Sequence, residues 1–225
     1  INPGIVRDRR LVNLPEADWD EVVRVNLKGT FTTLSQAARY WLQLGALVRT
    51  RGALSMAHEY AAHAARTDAS AECQILAGLL DAACWTDDRC LANAEAALRN
   101  LVASSLTLGH DTLEQQCRLA LPRTLCWQGH PREAREVLGT IEKSSFLRVA
   151  CAALVIRSRI LREERDLVAS LRTARDALAL AGKAADPSLL SRAHRELAEA
   201  LRALGEIVQV RTHVAQGTEA AQRSR

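Results

Sequence analysis

The sequence predicts an all-α protein, an α-solenoid of about five helical hairpins preceded by a short N-terminal segment that does not share the hairpin pattern. Composition is the first reason. Aromatic residues make up 4% of the 225 residues, and Gly and Pro number only 11 and 5, while Ala, Leu, Arg and Glu dominate, a balance that favours helix. The second reason is an apolar pattern around Gly52, Gly129 and Gly205. Eight residues before each stands a leucine (Leu44, Leu121, Leu197), and four before stands Val48, Leu125 or Leu201. Five after come Ala57, Ala134 and Val210, and nine after come Ala61, Leu138 and Val214. Apolar residues four apart line one stripe of a helix, so each glycine reads as the turn of a hairpin.

Recurrence is the third reason. Asp87 anchors a weaker copy with Leu79, Ala83, Ala92 and Ala96, and Glu164 anchors another with Ile156, Ile160 and Ala169 that fails at Thr173. Anchors 35, 42, 35 and 41 residues apart fall in the range of helical solenoids. One hairpin cannot bury the apolar faces of both its helices, so neighbours stack.

Taken in order, a loop containing Pro3 and Gly4 leads to Pro15 at a helix start, with Glu16 and Asp18 where the helix dipole favours acids. Val22, Val23, Asn26 and Leu27 mark one helix face, Gly29 is expected to interrupt it, and a second helical stretch follows over about 30 to 44. The hairpins then succeed one another. Pro122 falls inside the helix before Gly129, so a kink or break is expected there. The residues after Thr218 are polar and expected to fray. The organisation is thus an N-terminal segment over 1–34, a repeat domain over 35–217 and a tail over 218–225.

Arginines and acids interrupt every apolar run, which excludes a membrane span. Ile1 is not a start methionine and the single Met is Met56, so the chain is expected to be a fragment. Cys73, Cys84, Cys90, Cys117, Cys126 and Cys151 form no CxxC pair and lie mostly in apolar helical patterns; they are expected to be buried free thiols of a cytoplasmic protein. The net charge of +4 does not concentrate into a phosphate-binding stripe. Arg and Glu alternate, as in 132–136 and 162–165, which reads as solvated faces with local ion pairs.

Trp41, Leu44, Gly45, Gly52, Ala57 and Ala64, with the turn from Gly129 to Ala134, carry a resemblance to the tetratricopeptide repeat. That resemblance implies a right-handed solenoid whose first helices line a concave inner face. The irregular Ala- and Arg-rich repeats also look similar to the sensor and scaffold regions of large bacterial transcription regulators. The function implied is a protein–protein interaction scaffold without cofactor or metal. The residues expected to meet a protein or acidic peptide on the concave face are Arg118, Arg123 and Arg195.

The front of the chain carries a second resemblance. Asn2, Pro3 and Gly4 look like the end of the Asn-Asn-Ala-Gly motif of short-chain dehydrogenases/reductases, and Asp18 to Gly29 resembles the helix bearing that family's catalytic asparagine, here Asn26. This implies an N-terminal segment of α/β (Rossmann-type) origin. It supports an alternative function, a truncated and inactive NAD- or NADP-dependent dehydrogenase, with Asn2 and Gly4 as cofactor-binding candidates. Ser55 stands where that family's serine would. The family's Tyr-x-x-x-Lys is missing, because Tyr60 is followed by Ala64 where a lysine is needed. No general acid for hydride transfer remains, so an enzyme is not expected.

His58 and His63 suggest a zinc helix but are five residues apart, which turns them to different sides of a helix. Trp85 and Trp127 precede turns at similar positions and read as packing between hairpins.

Overall fold

The computed structural model describes residues 15–139, 141 and 146–223. Among them every regular element is an α-helix. The chain divides into two compact units at Asp88 and Arg89. The first contains α1 (Glu16–Thr50), α2 (Leu54–Thr67) and α3 (Ala71–Asp87). The second contains α4 (Leu91–Leu108), α5 (Asp111–Trp127), α6 (Pro131–Gly139), α7 (Leu147–Glu163), α8 (Leu167–Ala184), α9 (Pro187–Ala203) and α10 (Ile207–Arg223).

Turn chemistry builds this order. Three residues join α1 to α2, α5 to α6, α7 to α8 and α9 to α10, and the middle one is left-handed: Gly52, Gly129, Arg165 and Gly205, with φ of 81°, 82°, 66° and 84°. Its N–H donates to the carbonyl three residues back (Arg49, Cys126, Arg162, Arg202), and the next N–H donates to the carbonyl five back (Val48, Leu125, Leu161, Leu201), at 2.9–3.1 Å. Each is a Schellman cap that satisfies carbonyls the helix end would otherwise leave open. Arg89 holds the same place between α3 and α4 with φ 66°.

A side chain at a left-handed position strains against its own backbone, whereas glycine does not. Gly129→Ala, whose added methyl would meet nothing within 4 Å, is therefore expected to lower stability by about 1 kcal/mol. Arg165→Gly, at an exposed position, is expected to raise it by roughly 0.5–1 kcal/mol. Urea unfolding of the two variants reads both signs.

The left-handed turn residues near Asp87 and Glu164 are Arg89 and Arg165. Counting five and nine residues on from these arginines gives Ala94 and Leu98, then Ser170 and Ala174, and all four are buried. Ala92 and Ala96, expected in the core from the Asp87 anchor, are exposed, and the apparent failure at Thr173 disappears. The corresponding residues of the first and third hairpins, Ala57, Ala61, Ala134 and Leu138, are buried too. In the last hairpin Val210 is half-buried and Val214 is 53% exposed.

The positions after the turns are small because they receive another helix. In the first unit Ala57 and Ala61 of α2 meet Leu80 and Cys84 of α3, and Ala38 of α1 joins Ala64, Cys73 and Ala77. Gly45 lies where a methyl would stand 2.5 Å from Leu80 Cδ2 and 3.2 Å from Tyr60 Cβ, so α1 approaches its neighbours more closely than a side chain there allows. In the second unit α5, α7 and α9 pack in sequence, each also packing against the helix that follows it. Ala174 of α8 sits with Leu197, Ala200 and Leu201 of α9. Buried Ser170 of α8 donates its hydroxyl to the Ser158 carbonyl of α7 at 2.9 Å.

Gly29 and Pro122 interrupt no helix, and the residues after Thr218 are helical as far as Arg223. Helix α1 runs unbroken for 35 residues through Gly29; one interior glycine costs a helix only about 1 kcal/mol. The residue-34 segment boundary therefore falls within a helix. Helix α5 continues through Pro122, which is itself buried, so packing outweighs the lost backbone bond. The polar residues after Thr218 continue α10 to Arg223, with an Arg223–Glu219 pair one turn apart. For the N-terminal segment, the described part is helical from Glu16 onward.

Candidate functional site

The residues of the dehydrogenase-like reading are not brought together. Asn26 is half-buried in the middle of α1 and Ser55 is exposed at the start of α2. The unbroken helix between Asn26 and Thr50 spans about 36 Å at 1.5 Å per residue, and Ser55 comes only after it turns. Tyr60 stacks on Trp41 with ring centroids 5.5 Å apart and 18° between planes. Ala64, in the place of a lysine, is fully buried. Asn2 and Gly4 lie outside the described residues.

The two histidines of α2 serve different neighbours. His58 Nδ1 meets Asp81 Oδ1 of α3, and its ring lies 5.8 Å from Trp85. His63 lies 5.4 Å from the Trp41 ring and its Nδ1 accepts from Arg66. They share no ligand position. Five of the six thiols are at least half-buried, all six are free, and Cys90 alone among them is exposed. Burial pushes the Cys84 and Cys126 thiols up to about 11, which leaves them protonated and inert at neutral pH.

The charged side chains form the principal polar feature. Arg118, expected to be exposed, is half-buried and pairs with Glu114 one turn before it at 2.8 Å. Arg123 is likewise half-buried in α5. Of the three candidate partner-binding arginines, Arg195 on α9 is the exposed one. The correction has a physical cause: arginine stems cover apolar helix surface while the guanidinium finds a carboxylate.

Many of the other arginines tie one helix to another. Arg49 on α1 donates to Asp87 on α3 at 2.7 Å, Arg148 on α7 pairs with Asp186 before α9 at 3.0 Å, and Arg99 on α4 reaches both Glu95 and Glu133 on α6. Hydrogen bonds from Gln128 and Arg99 hold the Glu95 carboxyl below the usual range. Arg162 on α7 donates to Glu196 on α9 at 2.5 Å, with side chains only 16% and 6% exposed. Burial raises the Glu196 carboxyl above its ordinary value, and Arg162 and Arg159 oppose that rise. Trp127 is flanked by two arginines, with the Arg89 guanidinium 3.4 Å and that of Arg159 5.9 Å from its ring centroid.

What this arrangement can do is hold helices in register while leaving arginines such as Arg195 and Arg148 at the surface of the α7 and α9 layer. Among the described residues no group of three His, Cys, Asp or Glu side chains is placed to share a metal, and no helix is long and apolar enough to cross a membrane.

No family model matches the chain. Short stretches of it are similar to curated dehydrogenases. A hydroxyacyl-CoA dehydrogenase, ChsB1, of Mycobacterium tuberculosis is 48% identical over 40 residues, 18% of this chain and 13% of the relative. The 3-oxoacyl-(acyl-carrier-protein) reductase FabG of Thermotoga maritima is 45% identical over 42 residues, 19% of this chain and 17% of the relative. A (3R)-3-hydroxyacyl-CoA dehydrogenase of Mus musculus is 48% identical over 42 residues, 19% and 16% of the two chains. The aligned stretch spans less than a fifth of the length of these relatives.

Proposed function

We propose that this chain is a protein–protein interaction scaffold built from stacked helical hairpins, of the kind that forms the sensor or repeat portion of a large bacterial transcription regulator. The observation that supports it best is the lateral packing of α5, α7 and α9 in the second unit. Such layers of first helices present an extended surface in repeat proteins of tetratricopeptide type. Exposed Arg195 gives that surface positive charge, and the chemistry it suits is an acidic segment of a partner protein.

The test is binding of an acidic peptide library, read by fluorescence anisotropy at low and moderate salt. Arg195→Glu is expected to weaken the selected peptide by more than about tenfold, since it replaces attraction by repulsion. Binding unaffected by this change argues against the reading.

The local identity of 45–48% to dehydrogenases supports a second reading, a truncated short-chain dehydrogenase/reductase whose remaining helix is α1. In that case NAD or NADP would be the cofactor. We take the inherited helix to serve the hairpin fold, because about 36 Å of unbroken helix separates Asn26 from the turn that leads to Ser55 on α2. A titration with NADH and NADPH separates the two readings. Micromolar binding of either dinucleotide supports the enzyme reading and no binding supports the scaffold.

A further inference from the structure

His194 on α9 and His213 on α10 point their imidazoles at each other, and neither belongs to the arginine surface described above. Their Nδ1 atoms are 3.1 Å apart, and the rings lie 5.3 Å apart with 28° between planes. Both are half-buried. Gly217 makes the approach possible. It lies one turn beyond His213 on α10, and a methyl there would stand 3.2 Å from His194 Cβ and 3.4 Å from the Ser191 carbonyl oxygen, so α10 packs so closely against α9 that any side chain there would push its neighbours back by a few tenths of an ångström.

We propose that His194 and His213 form a two-imidazole site for a borderline divalent cation of the Zn²⁺ class, clamping α10 to α9 through their Nδ1 atoms. Two facing Nδ1 atoms need either one shared proton or one shared cation, because two bare lone pairs repel. With metal–nitrogen distances of 2.0–2.1 Å, two ligands at a tetrahedral angle stand about 3.3 Å apart. The observed separation is within a few tenths of an ångström of that bite. Imidazole nitrogen suits Zn²⁺, Ni²⁺ and Cu²⁺ and does not suit Mg²⁺ or Ca²⁺. Both rings are needed as neutral donors, and burial together with the neighbouring ring already lowers the His194 pKa, which favours the neutral form. Two protein ligands leave the remaining positions to water, so the site is open.

The consequence is structural. Helix α10 carries exposed Ile207, Val208 and Val214 and contributes one buried residue, Gly217; a cation that binds only when α10 is docked stabilises that docking by mass action.

The test uses the full chain carrying Cys90→Ser, so that the exposed thiol does not compete, stripped with chelator and titrated with Zn²⁺ alone by calorimetry. One equivalent is expected to bind and to raise the melting temperature. His194→Gln and His213→Gln are each expected to weaken that binding by more than about tenfold. Imidazole ¹⁵N shifts in the parent, which need no variant and no altered fold, are expected to move for two histidines, with Nδ1 as the ligating nitrogen. Absence of binding at 100-fold excess of Zn²⁺ over protein, binding that survives either substitution, or shifts at His58 and His63 in place of these two overturns the proposal.

Discussion

Arg162→Ala is expected to lower the stability of the chain by roughly 3–5 kcal/mol, the cost of leaving a buried carboxylate without its partner. Glu196 is only 6% exposed on its side chain and accepts from Arg162 across the α7–α9 contact. Arg159 also acts on this carboxylate, which sets the effect toward the lower end of the range. Replacing both members by apolar residues of similar volume, Arg162→Met with Glu196→Leu, is expected to restore most of the loss, because the desolvation cost disappears with the charges. Chemical unfolding of the single and double variants measures the difference. A single variant as stable as the parent would place the pair in solvent, contrary to its burial.

The second large effect concerns the last hairpin's core. Leu197 is 3% exposed and packs with Ala174, Ala200 and Leu201. Leu197→Ala is expected to cost about 2–5 kcal/mol through lost burial and the cavity left behind. Ala174 and Ala200 are too short to fill the gap, whereas Leu201, Leu171, Leu178 and Val210 can close part of it, so the effect is expected near the middle of that range. By comparison Val214→Ala, at a site 53% exposed, is expected to change stability by less than about 0.5 kcal/mol. Thermal melts of the two variants provide the comparison.

The hairpin turns could be read from the sequence where glycine marks them. Gly52, Gly129 and Gly205 occupy left-handed positions that other residues avoid, and the apolar residues four and eight before them end the preceding helices. Arg89 and Arg165 take the same backbone conformation at a cost, and nothing in an arginine announces it. That is why the turns expected at Asp87 and Glu164 lie two residues and one residue further on. Gly29 and Pro122 erred in the other direction, since local breakers lose to the packing of long helices around them. The ion pairs were half legible. Alternating Arg and Glu signalled pairing, yet Arg49 and Arg162 find partners 38 and 34 residues away, a spacing set by hairpin stacking and not by helix periodicity. Arg118 was misplaced on an exposed surface for another reason, since its partner Glu114 lies one turn away in the same helix and its stem covers apolar helix surface. The His194–His213 approach has one faint sequence sign, Gly217 four residues after His213, and becomes visible only once α9 and α10 are packed.

The central claim is that the hairpins make the fold and that the dehydrogenase-like front of the chain is an appendage to it. The buried residues of α1 are Ala38 and Gly45, both beyond residue 34, whereas Trp19, Leu27 and Phe31 are 48%, 68% and 60% exposed. Deletion of residues 1–34 therefore removes one end of a helix and leaves the packing of α1 on α2 and α3 in place. The most direct measurement is the thermal melt of this truncated chain followed by circular dichroism at 222 nm. The account predicts a helical protein with a cooperative transition within a few degrees of the parent's. A truncated chain that is unfolded, or that melts without cooperativity, would contradict it and put the core in the segment we regard as dispensable.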